Sequence, residues 1–102
     1  MLFVCSIILN MKTVVQNLTF TVQVFKEGSK FVSYNPELKV ASCGDGIEEA
    51  KNNLREAISG FLKSARKMGT LQEILEEAGF IYKKQHWSTP ELLVMDRLSL
   101  AV

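Results

Sequence analysis

Two cysteines, two prolines, one histidine and one tryptophan are all that this chain holds of the residues that build disulfide frameworks, proline-rich ligands and metal centres. Cys5 and Cys43 share no zinc-type spacing with each other or with His86, which argues against a structural metal site. Two thiols make no staple framework, so a reduced pair in a cytoplasmic protein is the expectation, with no metal and no cofactor. An excess of one charge is missing as well. The net charge is +1 and no basic stripe is visible, so neither nucleic acid nor a membrane surface is an expected direct partner.

Long apolar runs are absent. The longest, Met1 to Asn10, falls far short of the roughly 20 residues that cross a bilayer. It has no basic residue ahead of it and no clear small-residue cleavage pattern, so it does not read as a signal peptide. Met11-Lys12 reads as an ordinary bacterial start, and residues 1–10 as an upstream extension. The competing reading is an extra strand using Val4, Ile7, Ile8 and Leu9.

What is present suits one domain with a modest core. From Asn17 to Lys26, Leu18, Phe20, Val22 and Val24 alternate with Thr19, Thr21 and Gln23, the period of a half-buried strand. Glu27-Gly28-Ser29 supplies a turn, and Lys30 to Tyr34 a second strand, so the pair predicts a hairpin. Asn35-Pro36 ends it, Leu38 to Cys43 predicts a short third strand, and Gly44-Asp45-Gly46 breaks the chain.

Ile47, Ala50, Leu54, Ala57, Ile58, Phe61, Ala65 and Met68 then recur at three- and four-residue spacing, predicting one long amphipathic helix closed by Gly69. Gly60 inside it is a weak point, or a place where another backbone packs close. Thr70-Leu71-Gln72-Glu73 fits a capping box and predicts a second, short helix from Leu71 to about Ala78. Phe80 to Trp87 reads as extended, and Glu91 to Val102 as a terminal strand. The fold class expected is α+β: a three-stranded antiparallel sheet packed by one long helix, with a short helix and a C-terminal strand after it. Residues 11–69 would form the β-β-β-α unit and residues 70–102 an oligomerising tail.

Catalytic patterns are scarce. A cysteine nucleophile needs a nearby base, and His86 lies more than forty residues from Cys43. Adjacent carboxylates such as Glu48/Glu49 and Glu76/Glu77 do not face each other on a helix. No phosphate loop or dinucleotide fingerprint occurs. Lys83-Lys84 beside Tyr82 and Trp87 reads as a solvated turn next to packed aromatics. No enzyme activity is expected.

One set of segments is more specific. Tyr34-Asn35-Pro36-Glu37-Leu38, then Ser42-Cys43-Gly44-Asp45-Gly46-Ile47-Glu48-Glu49-Ala50, then Asn53-Leu54-Arg55-Glu56-Ala57-Ile58 resemble the HicB-like antitoxin family in order and spacing. The resemblance covers Phe20 to about Phe61. The motif positions are Tyr34, Pro36, Glu37, Leu38, Gly44, Asp45, Glu48, Glu49, Ala50, Glu56 and Ala57, and their roles read as mainly structural. Pro36 turns the chain, Gly44 supplies backbone geometry closed to other residues, Asp45 or Gly46 caps the helix, with Asp45 favoured where the family's Thr or Ser is missing, and Ala50 and Ala57 let the helix sit close on the sheet.

The resemblance implies a β-β-β-α fold related to double-stranded-RNA-binding or RNase H-like units. It also implies a protein that neutralises a small HicA-type ribonuclease toxin by covering its active surface, and assembly as a homodimer or homotetramer. The chain departs from the family pattern at Gly46, where Thr or Ser is usual, at Cys43, where Gln is common, and after Met68, where no helix-turn-helix or ribbon-helix-helix module follows. Three functions compete: a toxin-binding module, a stand-alone self-assembling module whose tail residues Leu92, Val94, Leu98 and Leu100 contact another subunit, and an RNA-binding or hydrolytic remnant.

Overall fold

The computed structural model describes residues 16–102; the extension expected at residues 1–10 lies outside them. Strands β1 (Gln23–Glu27), β2 (Lys30–Asn35) and β3 (Val40–Gly44) form an antiparallel sheet in the order β1-β2-β3. Helix α1 (Ile47–Met68), helix α2 (Leu71–Glu77) and a two-stranded ribbon of β4 (Ile81–Lys83) and β5 (His86–Ser88) follow. The chain is an α+β protein with the expected order of sheet, long helix and short helix.

Turn chemistry sets the register. Gly28 has a φ of 62°, the positive value that a two-residue hairpin turn needs at its first position. It pairs Glu27 with Lys30 and, counting outward, Phe25 with Val32. Between β2 and β3 the turn spans Pro36 to Lys39, with Lys39 at a φ of 59°. The Asn35 side chain closes that turn by accepting the Leu38 amide at 2.7 Å, the local side-chain turn for which Asn is favoured.

The first strand begins at Gln23 rather than Asn17. Gln23 already pairs with Tyr34, and beyond Asn35 the partner strand turns away at Pro36. The third strand begins at Val40 rather than Leu38, because Leu38 and Lys39 are committed to the turn. The last strands lie earlier than expected, at β4 and β5. Residues 91–102 adopt no regular element, since a strand makes its hydrogen bonds only with a neighbour and none lies beside them among the described residues.

Helix α1 lies along β3 and β2 and meets β1 only at its margin. Its buried stripe is Ala50, Leu54, Ile58 and Ala65, a four-residue rhythm with one seven-residue step. Ile47, Phe61 and Met68, expected in that stripe, are exposed. Ala57 is half-buried at its edge. Nothing lies within 4 Å of a Cβ built on Gly60, so no backbone among the described residues packs there.

Both helices close alike. Gly69, at a φ of 78°, donates to the Arg66 carbonyl, and Thr70 donates to Ala65. Gly79, at a φ of 100°, donates to Glu76, and Phe80 donates to Leu75. These are Schellman closures, which use up carbonyls that a helix end otherwise leaves unpaired. Leu75 and Phe80, the flanking pair of the second, are both buried.

Two side-chain caps, expected from Thr70 and Asp45, do not form. Thr70 makes no cap hydrogen bond and has ψ near 5°, outside the extended range from which a cap side chain reaches the first-turn amides. Its hydroxyl instead faces the Ala65 carbonyl at 3.5 Å. At α1 the cap position is Gly46, without a side-chain bond; Asp45 turns away to Lys30. Glu49 reaches back past the cap and accepts the amide of Asp45, one residue ahead of it, at 2.6 Å.

Candidate functional site

Side chains alternate across paired strands, so one fixed contact assigns both faces of the sheet. Ser33 is fully buried and donates to the Ala50 carbonyl of α1 at 2.7 Å. Phe31, Ser33 and Asn35 therefore face the helix, together with Val24 on β1 and Val40, Ser42 and Gly44 on β3. The opposite face carries two cross-strand rows: Phe25, Val32 and Cys43, then Gln23, Tyr34 and Ala41.

No helix or strand among the described residues packs on that second face. Phe25 is 51% exposed, Ala41 and Cys43 are exposed, and Val32 and Tyr34 are half-buried. An exposed apolar surface of this kind is one on which another molecule can dock. Lys30 and Glu27 pair at its end nearest the hairpin turn and supply a charged rim.

The motif residues divide between this face and the scaffold behind it. Tyr34 alone lies on the face. Glu37 accepts from the Thr21 amide at 2.9 Å, the Thr21 hydroxyl at 2.6 Å and the Asn35 side-chain amide at 2.6 Å. Asn35 also donates to the Thr21 carbonyl at 2.8 Å. Burial pushes the Glu37 carboxyl up, but these hydrogen bonds outweigh it and hold its pKa below the usual carboxylate value. The network fixes the approach to β1 against the β2–β3 turn. Pro36 and Leu38 complete that turn, both half-buried.

Gly44, Asp45, Glu49 and Ala50 form the junction between β3 and α1. A Cβ on Gly44 would stand 2.6 Å from the Ala50 nitrogen. The glycine is thus required by close approach, not by a positive φ, which it does not have. Asp45 accepts from Lys30 and raises the pKa of that exposed ammonium, chiefly through the hydrogen bond. Glu48 pairs with Lys51 one turn on at 3.5 Å, and Glu56 is exposed on α1.

A second feature lies at the other end of the molecule. A groove of about 480 Å³ is lined chiefly by Leu18, Phe20, Leu62, Leu75, Tyr82 and Trp87. The Phe20 and Phe80 rings pack at 5.4 Å beneath it, and Tyr82 and Trp87 at 4.9 Å beside it. Gln16 clasps the ribbon: its side chain accepts the Trp87 amide at 3.0 Å and donates to the Trp87 carbonyl. Thr19 donates its amide to the Thr89 hydroxyl at 3.3 Å.

His86 lies on this ribbon, 3.4 Å from the Gln16 amide nitrogen, whereas Cys43 lies on the three-stranded sheet. Among the described residues, no group of three His, Cys, Asp or Glu could hold a metal ion, and no helix is long and apolar enough to cross a membrane. The tail residues Leu92, Val94, Leu98 and Leu100 are all exposed and touch neither the sheet nor the groove through any hydrogen bond.

Sequence reasoning missed Phe25 and Val32, the centre of the open face. The signal was available in the hairpin: a two-residue turn at Gly28-Ser29 sets Phe25 opposite Val32 by counting. It also missed Ser33 and Asn35, polar residues buried against α1. No protein-family model, curated protein or solved structure matches the chain.

Proposed function

We propose that this chain is a cytoplasmic, antitoxin-like protein-binding module that docks a partner on the open sheet face and has no catalytic apparatus or cofactor of its own. The observation that carries the reading is the apolar surface of Phe25, Val32, Tyr34, Ala41 and Cys43, opposite the helix, on which no helix or strand among the described residues packs. The partner class comes from the HicB-like motifs: a small HicA-type ribonuclease whose active surface the module covers. Tyr34 connects the two lines of support, since it belongs to the motif and lies on the face.

The test uses the whole chain and a small ribonuclease encoded beside it. Co-expression is expected to give a stoichiometric complex, to suppress RNA cleavage and to restore growth. Phe25→Asp should weaken the complex at least about tenfold, the loss typical of a central apolar contact, while helical circular dichroism stays unchanged. Absence of a complex and of growth rescue on co-expression defeats the reading. A self-assembling module without a toxin is the second reading, and the exposed apolar tail favours it.

A further inference from the structure

Residues 91–102 carry seven large apolar side chains in the open: Leu92, Leu93, Val94, Met95, Leu98, Leu100 and Val102, from 58% exposed upward. Their one hydrogen bond among the described residues is local, from the Arg97 amide to Asp96. Twelve residues at about 3.3 Å each span roughly 40 Å, and the described molecule reaches 64 Å along its longest axis against 28 and 20 Å across. So concentrated an apolar surface on a water-exposed segment marks a contact that another molecule completes.

The base of this arm is fixed. Thr89 accepts the Thr19 amide, and the Pro90 ring lies 3.4 Å from where a Cβ on Gly79 would stand. Thr89 precedes a proline, which biases it to extended backbone, and Pro90 itself has a fixed φ. Residues 91–102 form no turn, so the arm runs on without reversing toward its own base. The apolar groove is lined by Trp87, only a few residues before the arm departs. The arm therefore leaves beside a groove that it does not turn back to fill.

We infer that residues 91–102 are an exchange arm which, in a two-fold dimer, lies in the Leu18, Phe20, Leu75, Tyr82 and Trp87 groove of a second copy of this chain. This deepens the self-assembly reading and rests on it. Three observations support the second copy as occupant. Groove and arm base adjoin, so a two-fold axis beside β5 lets each arm cross a short gap into its neighbour. Leu98-Ser99-Leu100-Ala101-Val102 alternates apolar with small or polar residues, the pattern of a strand buried on one side. Arg66 lines the groove with no carboxylate partner among the described residues, while the arm carries Glu91 and Asp96, opposite in sign. The open face of the three-stranded sheet is not used, so dimerisation and partner docking are compatible.

The test is a complementation experiment read by light scattering on gel-filtered protein. One chain ends after Pro90 and keeps only the groove. A second carries Gln72→Trp, which fills the groove from an exposed lining position, and keeps only the arm; Tyr82→Arg serves as an independent groove block. The full chain is expected to be a dimer, each variant alone a monomer with unchanged helical circular dichroism, and the mixture of arm-less and groove-filled chains a one-to-one heterodimer. If the groove-filled chain stays dimeric while the arm-less chain does not, arms pair with each other; the groove assignment falls and self-assembly stands. An arm-less chain that stays dimeric overturns the arm. A monomeric full chain at micromolar concentration overturns both.

Discussion

Glu37 shows how one side chain can carry a recognition-like motif and serve only the scaffold. Its carboxylate receives three donors from Thr21 and Asn35, and its pKa is lowered in consequence. A carboxylate with a lowered folded pKa contributes stability above its ordinary value of 4.5, and that contribution is lost as pH falls through the folded value. Glu37→Gln should therefore cost about 1 kcal/mol at neutral pH, where donors lose a charged acceptor. The gap between variant and parent should close as pH falls from 4.5 through the lowered folded value, where the parent's carboxyl becomes protonated too. Urea midpoints across that pH range measure it; a gap that stays constant would show that the charge does not matter. The sequence displayed Glu37 plainly, but not its partners, because Thr21 and Asn35 meet it only once the β2–β3 turn has formed.

Between elements, the decisive contact is where β3 runs into α1. Gly44 leaves room for the first turn of the helix, with the Ala50 nitrogen 2.6 Å from where a Cβ would be. Gly44→Ala must push backbone against backbone, so a loss of about 1–3 kcal/mol is expected, read as a drop in the thermal midpoint. An unchanged midpoint would mean that the junction can shift at no cost. The boundaries and closure of α1 were legible because Gly69 and the spacing of Ala50, Leu54 and Ile58 are local signals. The capping box at Thr70 was misread for an equally local reason: the Schellman closure of α1 already commits Thr70 before α2 begins. Ile47, Phe61 and Met68 satisfied the helical period, yet among the described residues the sheet has only three strands and does not cover them.

In the whole molecule, the sheet with α1 and the β4–β5 ribbon are tied by few groups. Phe20 packs on Phe80, and the Gln16 amide takes the place of a neighbouring strand along Trp87. Gln16→Ala should free the ribbon locally, raising hydrogen exchange at the Trp87 amide at least about tenfold, equivalent to about 1.4 kcal/mol. Amides of β3 and α1 should keep their protection; if they lose it equally, the two parts unfold as one. None of this tie could be read from the sequence. Periodicity reports neighbours along the chain, whereas Gln16 and Trp87 are 71 positions apart. Nor were Phe25 and Val32, at the centre of the open sheet face, picked out from the sequence.

That separation also bears on how the protein is made. Closing a loop of 71 residues costs about 4 kcal/mol of chain entropy, far more than the local turns at Gly28 and Pro36. The three-stranded sheet and α1 can assemble while the ribosome is still adding residues, but Gln16 has nothing to clasp until Trp87 and Thr89 have emerged. The segment from Gln16 to Phe20 thus waits with its apolar side chains uncovered while those 71 residues are added, and the groove comes into being only after the sheet and α1.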